Sequence, residues 1–188
     1  MIVVVLYILD LSKIEAGKLS FEAIDFELGE LLTECGNNLG FRAQEKGLEI
    51  VCPAEAIFNR WYTSDPGRIR QVLTNLVGNA IKFTPRDGLI TIRASRTPTS
   101  FILEFGDTGP GVPDEEGPHI FDAFFQGRRE QGGQVAGTGI GLSVVRECVQ
   151  AHDGTLELVN SDEFPGAHFR IEIPQRRDVA QQKLAANG

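Results

Sequence analysis

Gln71-Val-Leu-Thr-Asn-Leu-Val-Gly-Asn-Ala-Ile-Lys-Phe-Thr84 is the stretch on which the reading of this 188-residue chain turns. Stepped at about 100° per residue, Asn75, Asn79 and Lys82 fall within roughly 60° of one another. Val72, Leu73, Leu76, Val77, Ala80 and Ile81 fill the opposite side. The segment therefore reads as a helix with an apolar back and a polar front. Asp65-Pro66 supplies an N-cap and a first turn, so the helix is expected to run from there to about Phe83. A merely solvated face would mix Lys, Glu and Gln. Repeated Asn, a mediocre helix former, asks for a chemical reason.

Outward from this helix the hydrophobic period alternates between strand and helix. Residues 20–26 alternate as a strand, 27–46 read as a helix, and 48–52 and 60–64 as short strands. Strands follow at about 88–96 and 100–106, a helix at about 138–152, and strands at 155–160 and 167–173. At the N-terminus, Ile2, Val5, Leu9, Ser12, Ala16 and Leu19 recur at three- and four-residue steps. That spacing suits the seam of a helical hairpin, or an amphipathic helix packed on its own domain. The tail from Gln175 is polar, lacks a pattern and reads as disordered.

Composition narrows the function. With 41% hydrophobic and 23% charged residues the chain can bury a sizeable core. A formal net charge of −8 argues against a nucleic-acid binder, whose phosphate contacts need clustered Lys and Arg. Cys35, Cys52 and Cys148 are odd in number and form no CxxC pair, which fits free thiols in a reducing cytosol. The apolar run Ile2–Leu9 is far short of the about 20 residues of a membrane span, and no targeting segment is visible.

Three more segments carry chemistry. Asp107-Thr-Gly-Pro-Gly111 puts a carboxylate beside a glycine turn at a strand end, and alone reads equally well as an ordinary turn. Phe121-Asp-Ala-Phe-Phe125 is an aromatic cluster. Gly137-Thr-Gly-Ile-Gly141 leads into a helical pattern with neither Rossmann nor Walker spacing. Free N–H groups at a helix start, with glycines allowing close approach, still make a phosphate cradle.

In this order the four segments resemble the asparagine, first glycine, phenylalanine and second glycine boxes of the sensor histidine kinase ATP-binding domain. That domain lies within the gyrase/chaperone/kinase/MutL ATPase superfamily, and the resemblance covers roughly residues 9 to 174. It implies an α/β fold, a two-layer sandwich whose mixed sheet of about five strands carries three helices on one face. Residues 1–19 would be the end of a second dimerisation helix, 20–174 the catalytic ATP-binding domain and 175–188 the tail.

The resemblance also implies roles. Asn79 would be the Mg²⁺ ligand, its amide oxygen being a neutral hard donor. Asn75 and Lys82 would be phosphate-side contacts, and Phe83 an aromatic wall near the adenine of ATP. Asp107 would accept a hydrogen bond from the adenine amine, with Gly109 and Gly111 letting the backbone come close. Gly137, Thr138, Gly139, Gly141 and Leu142 would cradle phosphates. Gln126–Ala136 reads as a mobile lid in which Arg128 or Arg129 either reaches the γ-phosphate or forms a solvated pair. Phe121, Phe124 and Phe125 would be the lid's hinge, core residues, or both.

The expected activity is transfer of the γ-phosphate to a histidine on a dimerisation domain of the same kinase, with a response regulator receiver domain served indirectly. Residues 2–19 could support a homodimer, and the expected location is cytoplasmic. His119, His152 and His168 lack the setting of a phosphoacceptor. Two alternatives stand beside this: an ATP-hydrolysing switch of the gyrase or MutL type, and a non-catalytic partner-binding module. The hydrolysing relatives carry a Glu where Asn75 stands. Gly106, immediately before Asp107, departs from the usual family wording, as does the β-branched start at residues 2–5.

Overall fold

The computed structural model describes residues 22–53, 60–127 and 137–174. In chain order the elements are β1 (Ile24–Glu27), α1 (Leu28–Lys46), β2 (Glu49–Val51), β3 (Trp61–Ser64), α2 (Pro66–Phe83), β4 (Leu89–Arg96) and β5 (Ser100–Asp107). A 3₁₀ turn (Gly117–His119) precedes α3 (Gly141–Ala151), β6 (Thr155–Leu158) and β7 (His168–Pro174). Residues 1–19, read as a dimerisation-helix stub, and 175–188, read as a tail, lie outside the described residues.

Capping chemistry sets the long helices. The Glu27 carboxylate accepts from the N–H groups of Gly29 and Glu30 and opens α1, which closes on the left-handed Gly47. Asp65 caps α2 by accepting from Arg68 N–H at 3.0 Å, and Pro66 occupies the first turn, as the sequence predicts.

The main sheet has the order β2-β4-β5-β7-β6. Only β2 and β4 run parallel, so the five strands form the expected mixed sheet. Alternation along the strands turns Ile90, Ile92, Phe101, Leu103, Phe105, Ile171 and Ile173 inward, where they meet Ile69, Leu73 and Leu76 of α2 and Val145 and Val149 of α3 in one core. Arg93, Glu104, Arg170 and Glu172 stay half-exposed on the other face. The result is a two-layer sandwich.

One detail was left open by the sequence reading and one differs from it. β1 and β3 do not join the main sheet but pair with each other as an antiparallel ribbon, with Tyr62 packed edge-on against Phe101 at 5.1 Å. α3 begins at Gly141 rather than near 138, because Gly139 takes the left-handed region at φ 70° and a helix cannot run through it. Among the described residues no helix is long and apolar enough to cross a membrane.

Candidate functional site

At the end of β5 the chain buries a carboxylate and surrounds it with main chain. Asp107 is 7% exposed. Its Oδ1 accepts from Gly109 N–H at 2.8 Å and from Ala167 N–H at 3.2 Å. Its peptide N–H donates to Ala167 O, and its carbonyl accepts from Gly166 N–H. Among the described residues no hydrogen bond falls on Oδ2, which leaves one acceptor-only oxygen for a ligand's N–H. Burial raises the Asp107 pKa above the ordinary carboxylate value, with the two N–H donors pulling the other way.

Glycine is required by this packing. A Cβ on Gly109 would come 2.8 Å from Asp107 Oδ1, and one on Gly166 would overlap the same oxygen and sit 2.6 Å from Gly109 N. Gly111 has φ 76°, a left-handed conformation that an L side chain strains to adopt. The Gly109 position also faces Phe83 O and Thr84 Cα at 3.5 Å, so the carboxylate corner abuts the end of α2. Thr108 ties that corner to β4, its Oγ1 accepting from Leu89 N–H at 2.9 Å.

The polar front of α2 meets the start of α3. The Cβ position of Gly141 lies 3.5 Å from Asn75 Oδ1 and 3.9 Å from Asn79 Nδ2, and that of Gly137 only 2.5 Å from Lys82 Nζ. The three side chains named from the sequence thus converge on the glycine segment named from the sequence. Lys82 Nζ also stands 4.6 Å from the Phe83 ring centroid, and burial lowers its pKa below the ordinary lysine value. Gly137 and Gly141 leave room for a ligand that side chains would fill. Two amides, an ammonium and the N-terminus of α3 suit phosphate oxygens and a hard cation shared with them.

Not every expected residue joins this cluster. Arg128 and most of the lid segment lie outside the described residues. Thr138 is exposed, and Leu142 packs partly against the core. Phe121 and Phe125 pack on the core, whereas Phe124 is 64% exposed at φ 65° and donates its N–H to Gly139 O. The Phe83 ring is half-exposed beside Lys82, and it is its main chain that approaches Gly109. His152 Nδ1 lies 2.6 Å from Cys148 O at the end of α3, His119 pairs with Asp122, and His168 is buried.

Lys46 and the Gly166–Ala167 pair were missed from the sequence. Lys46, in the last turn of α1, donates to Ile81 O at 2.7 Å, Lys82 O at 2.9 Å and Thr84 O at 2.6 Å. It caps the helix that carries the asparagines, where the C-terminal carbonyls concentrate negative potential. Lys-Gly at a helix end was visible, but it reads as a cap of its own helix. Gly166 follows Pro165 and reads as a plain turn.

Residues 64–177 match the model of the histidine kinase-, DNA gyrase B- and HSP90-like ATPase family. The chain belongs to that family. It is 34% identical over 171 residues to the circadian input-output histidine kinase CikA of Synechococcus elongatus, covering 90% of this chain and 22% of the relative. It is 36% identical over 195 residues to the signal transduction histidine-protein kinase BarA of Escherichia coli K12, covering 95% of this chain and 21% of that one. The chain thus spans about a fifth of the length of these curated relatives. Among solved structures it resembles full-length ShkA in complex with AMPPNP, with a TM-score of 0.75, 29% identity, and coverage of 90% of this chain and 34% of the other. The catalytic domain of the histidine kinase ThkA matches at a TM-score of 0.68 and 29% identity, over 84% of this chain and 97% of that domain. This member of the ATPase family therefore has the fold of a histidine kinase catalytic domain.

Proposed function

We propose that this chain is the ATP-binding catalytic domain of a sensor histidine kinase, taking Mg-ATP and donating the γ-phosphate to a histidine on a dimerisation domain. Asp107 accepts the adenine amine on Oδ2 while its neighbouring amides hold Oδ1. Asn75, Lys82 and the N-terminus of α3 neutralise phosphate charge. Asn79 would hold the metal through its amide oxygen, and a bound metal would supply further neutralisation of phosphate charge. Phosphoryl transfer asks a protein mainly for such positioning. The named relatives are histidine kinases, and ShkA was solved with an ATP analogue, which supports the reading. A cytoplasmic location, with a response regulator downstream, belongs to the same proposal.

One observation favours a phosphate donor over an ATP-hydrolysing switch. Helix α2 contains no carboxylate at all, and the position facing Gly141 is Asn75. An amide cannot take a proton from water, so no general base stands on this face. Incubated alone with γ-labelled ATP, the chain should release phosphate slowly and gain no acid-labile label. Supplied in trans with a histidine-bearing dimerisation hairpin, it should label that hairpin. Rapid phosphate release, or acid-labile label on His119, His152 or His168, would overturn the proposal.

A further inference from the structure

Gly106 pairs with His168 across β5 and β7 and alternates with the inward-facing Phe105, so its missing side chain would point away from the helices. The ring of Phe164 occupies that place. A Cβ on Gly106 would overlap three of its carbons. Phe164 is buried there, edge-on to the His168 ring at 4.6 Å and with the Arg93 guanidinium 5.1 Å from its centroid. Arg93 in turn bonds Glu163 at 2.5 Å, so the β6–β7 connection is pinned to the outer face of the sheet at two successive residues.

The next residues of that connection reach the site. Gly166 N–H bonds Asp107 O at 2.9 Å, Ala167 N–H bonds Asp107 Oδ1 at 3.2 Å, and Ala167 O receives Asp107 N–H at 3.1 Å. The connection therefore has its anchor two residues before the point where it grips the carboxylate. Gly106 and Phe164 are complementary, since the first leaves a notch and the second fills it. A loop that only covered the sheet would need no main-chain bond to a carboxylate oxygen.

We infer that Phe164, seated in the notch left by Gly106, is a positioning residue for base selection: it fixes the Gly166–Ala167 segment that orients the Asp107 carboxylate. The inference rests on the proposed reading of Asp107 as the adenine acceptor. Any side chain at 106 drives the ring out, and any smaller side chain at 164 frees the strap. Either change lets Ala167 N–H leave Oδ1, and the remaining oxygen loses its fixed direction.

The test is a double-mutant cycle in the full chain with Gly106→Ala, Phe164→Ala and their combination, reading ADP and GDP affinities by calorimetry below each variant's melting temperature. Each single change should cut the preference for ADP over GDP by about tenfold, the scale of one hydrogen bond. Adding Gly106→Ala to Phe164→Ala should cost less than about twofold more, because the ring it collides with is gone. Phe164→Leu keeps an apolar side chain at the notch and guards against unfolding. It should speed hydrogen exchange at the Gly166 and Ala167 amides while melting close to the parent. Unchanged preference in folded variants, or equal cost of Gly106→Ala in both backgrounds, would overturn the inference. Asp107→Asn separates the two readings: if that variant keeps full preference for ADP, the assignment of Asp107 fails, whatever the strap does.

Discussion

At Asp107 the main chain draws the pocket, whereas along α2 side chains do. The carboxylate corner is buried, held by amides of Gly109 and Ala167, and fitted so closely that Gly109 and Gly166 tolerate no Cβ. Asn75, Asn79 and Lys82 instead project from one helix, partly exposed, toward glycines at 137 and 141. The difference matches the two tasks proposed for the site. Recognising a flat base by one hydrogen bond needs a fixed direction, which backbone supplies with little conformational entropy. Neutralising a flexible chain of phosphates needs charge and dipoles that can adjust, which long side chains and a helix end supply.

If the contrast is right, damage at the two ends should look different. The largest effect is expected at the corner. Asp107→Asn should weaken adenine nucleotide binding by about 10- to 100-fold, the worth of a hydrogen bond to a charged group. It should do so equally with and without Mg²⁺, and a loss confined to Mg²⁺-containing buffer would erase the distinction. Asn79→Ala should behave in the opposite way. Its loss of about tenfold should be confined to the Mg²⁺-dependent part of ATP affinity and leave adenosine binding alone.

Lys46→Met tests the support beneath α2. Three charge-assisted bonds to the end of the helix disappear, and stability should fall by about 1–3 kcal/mol in a denaturant titration. Lys46→Arg should recover part of it. A stability equal to the parent would mean that the three bonds only offset the cost of desolvating the ammonium.

The smallest expected effect is on pH dependence. Burial raises the Asp107 pKa, so the acceptor form is lost as pH falls through a value above that of an ordinary carboxylate. Adenine preference should therefore weaken on mild acidification, and Asp107→Asn should remove that dependence. The stability linkage has the other sign. A raised folded-state pKa adds stability below the unfolded value and loses it as pH rises through the folded one. A thermal-melt series comparing parent and Asp107→Asn reads it.

Much of this site was legible in the chain because its parts are local. The period of residues 71–84 gave both the apolar back and the Asn-Asn-Lys front of α2, and Asp65-Pro66 gave its start. Strand and helix types followed from alternation elsewhere. What stayed hidden depends on partners far away in sequence. Alternation at 24–27 shows that β1 is a strand but not that it pairs with β3 outside the main sheet. Lys46 sits 35–38 residues from the carbonyls it caps, and its position before Gly47 points to a local role. The oddity of Gly106 was visible, yet its reason, the ring of Phe164, is 58 residues away and nothing in the intervening pattern announces it. The late start of α3 was missed because the spacing of Leu142, Val145 and Val149 does not show that the backbone leaves the helical region at Gly139.

The measurement that bears most directly on the central claim is a calorimetric titration of the chain with AMPPNP, in Mg²⁺ and again after chelation. An Asp107 corner that reads the base and an Asn-Asn-Lys face that serves metal and phosphates predict saturable one-to-one binding in Mg²⁺. They also predict a residual, weaker binding without it, since the corner still holds the adenine. No binding in Mg²⁺, or an affinity indifferent to the chelator, would contradict the account.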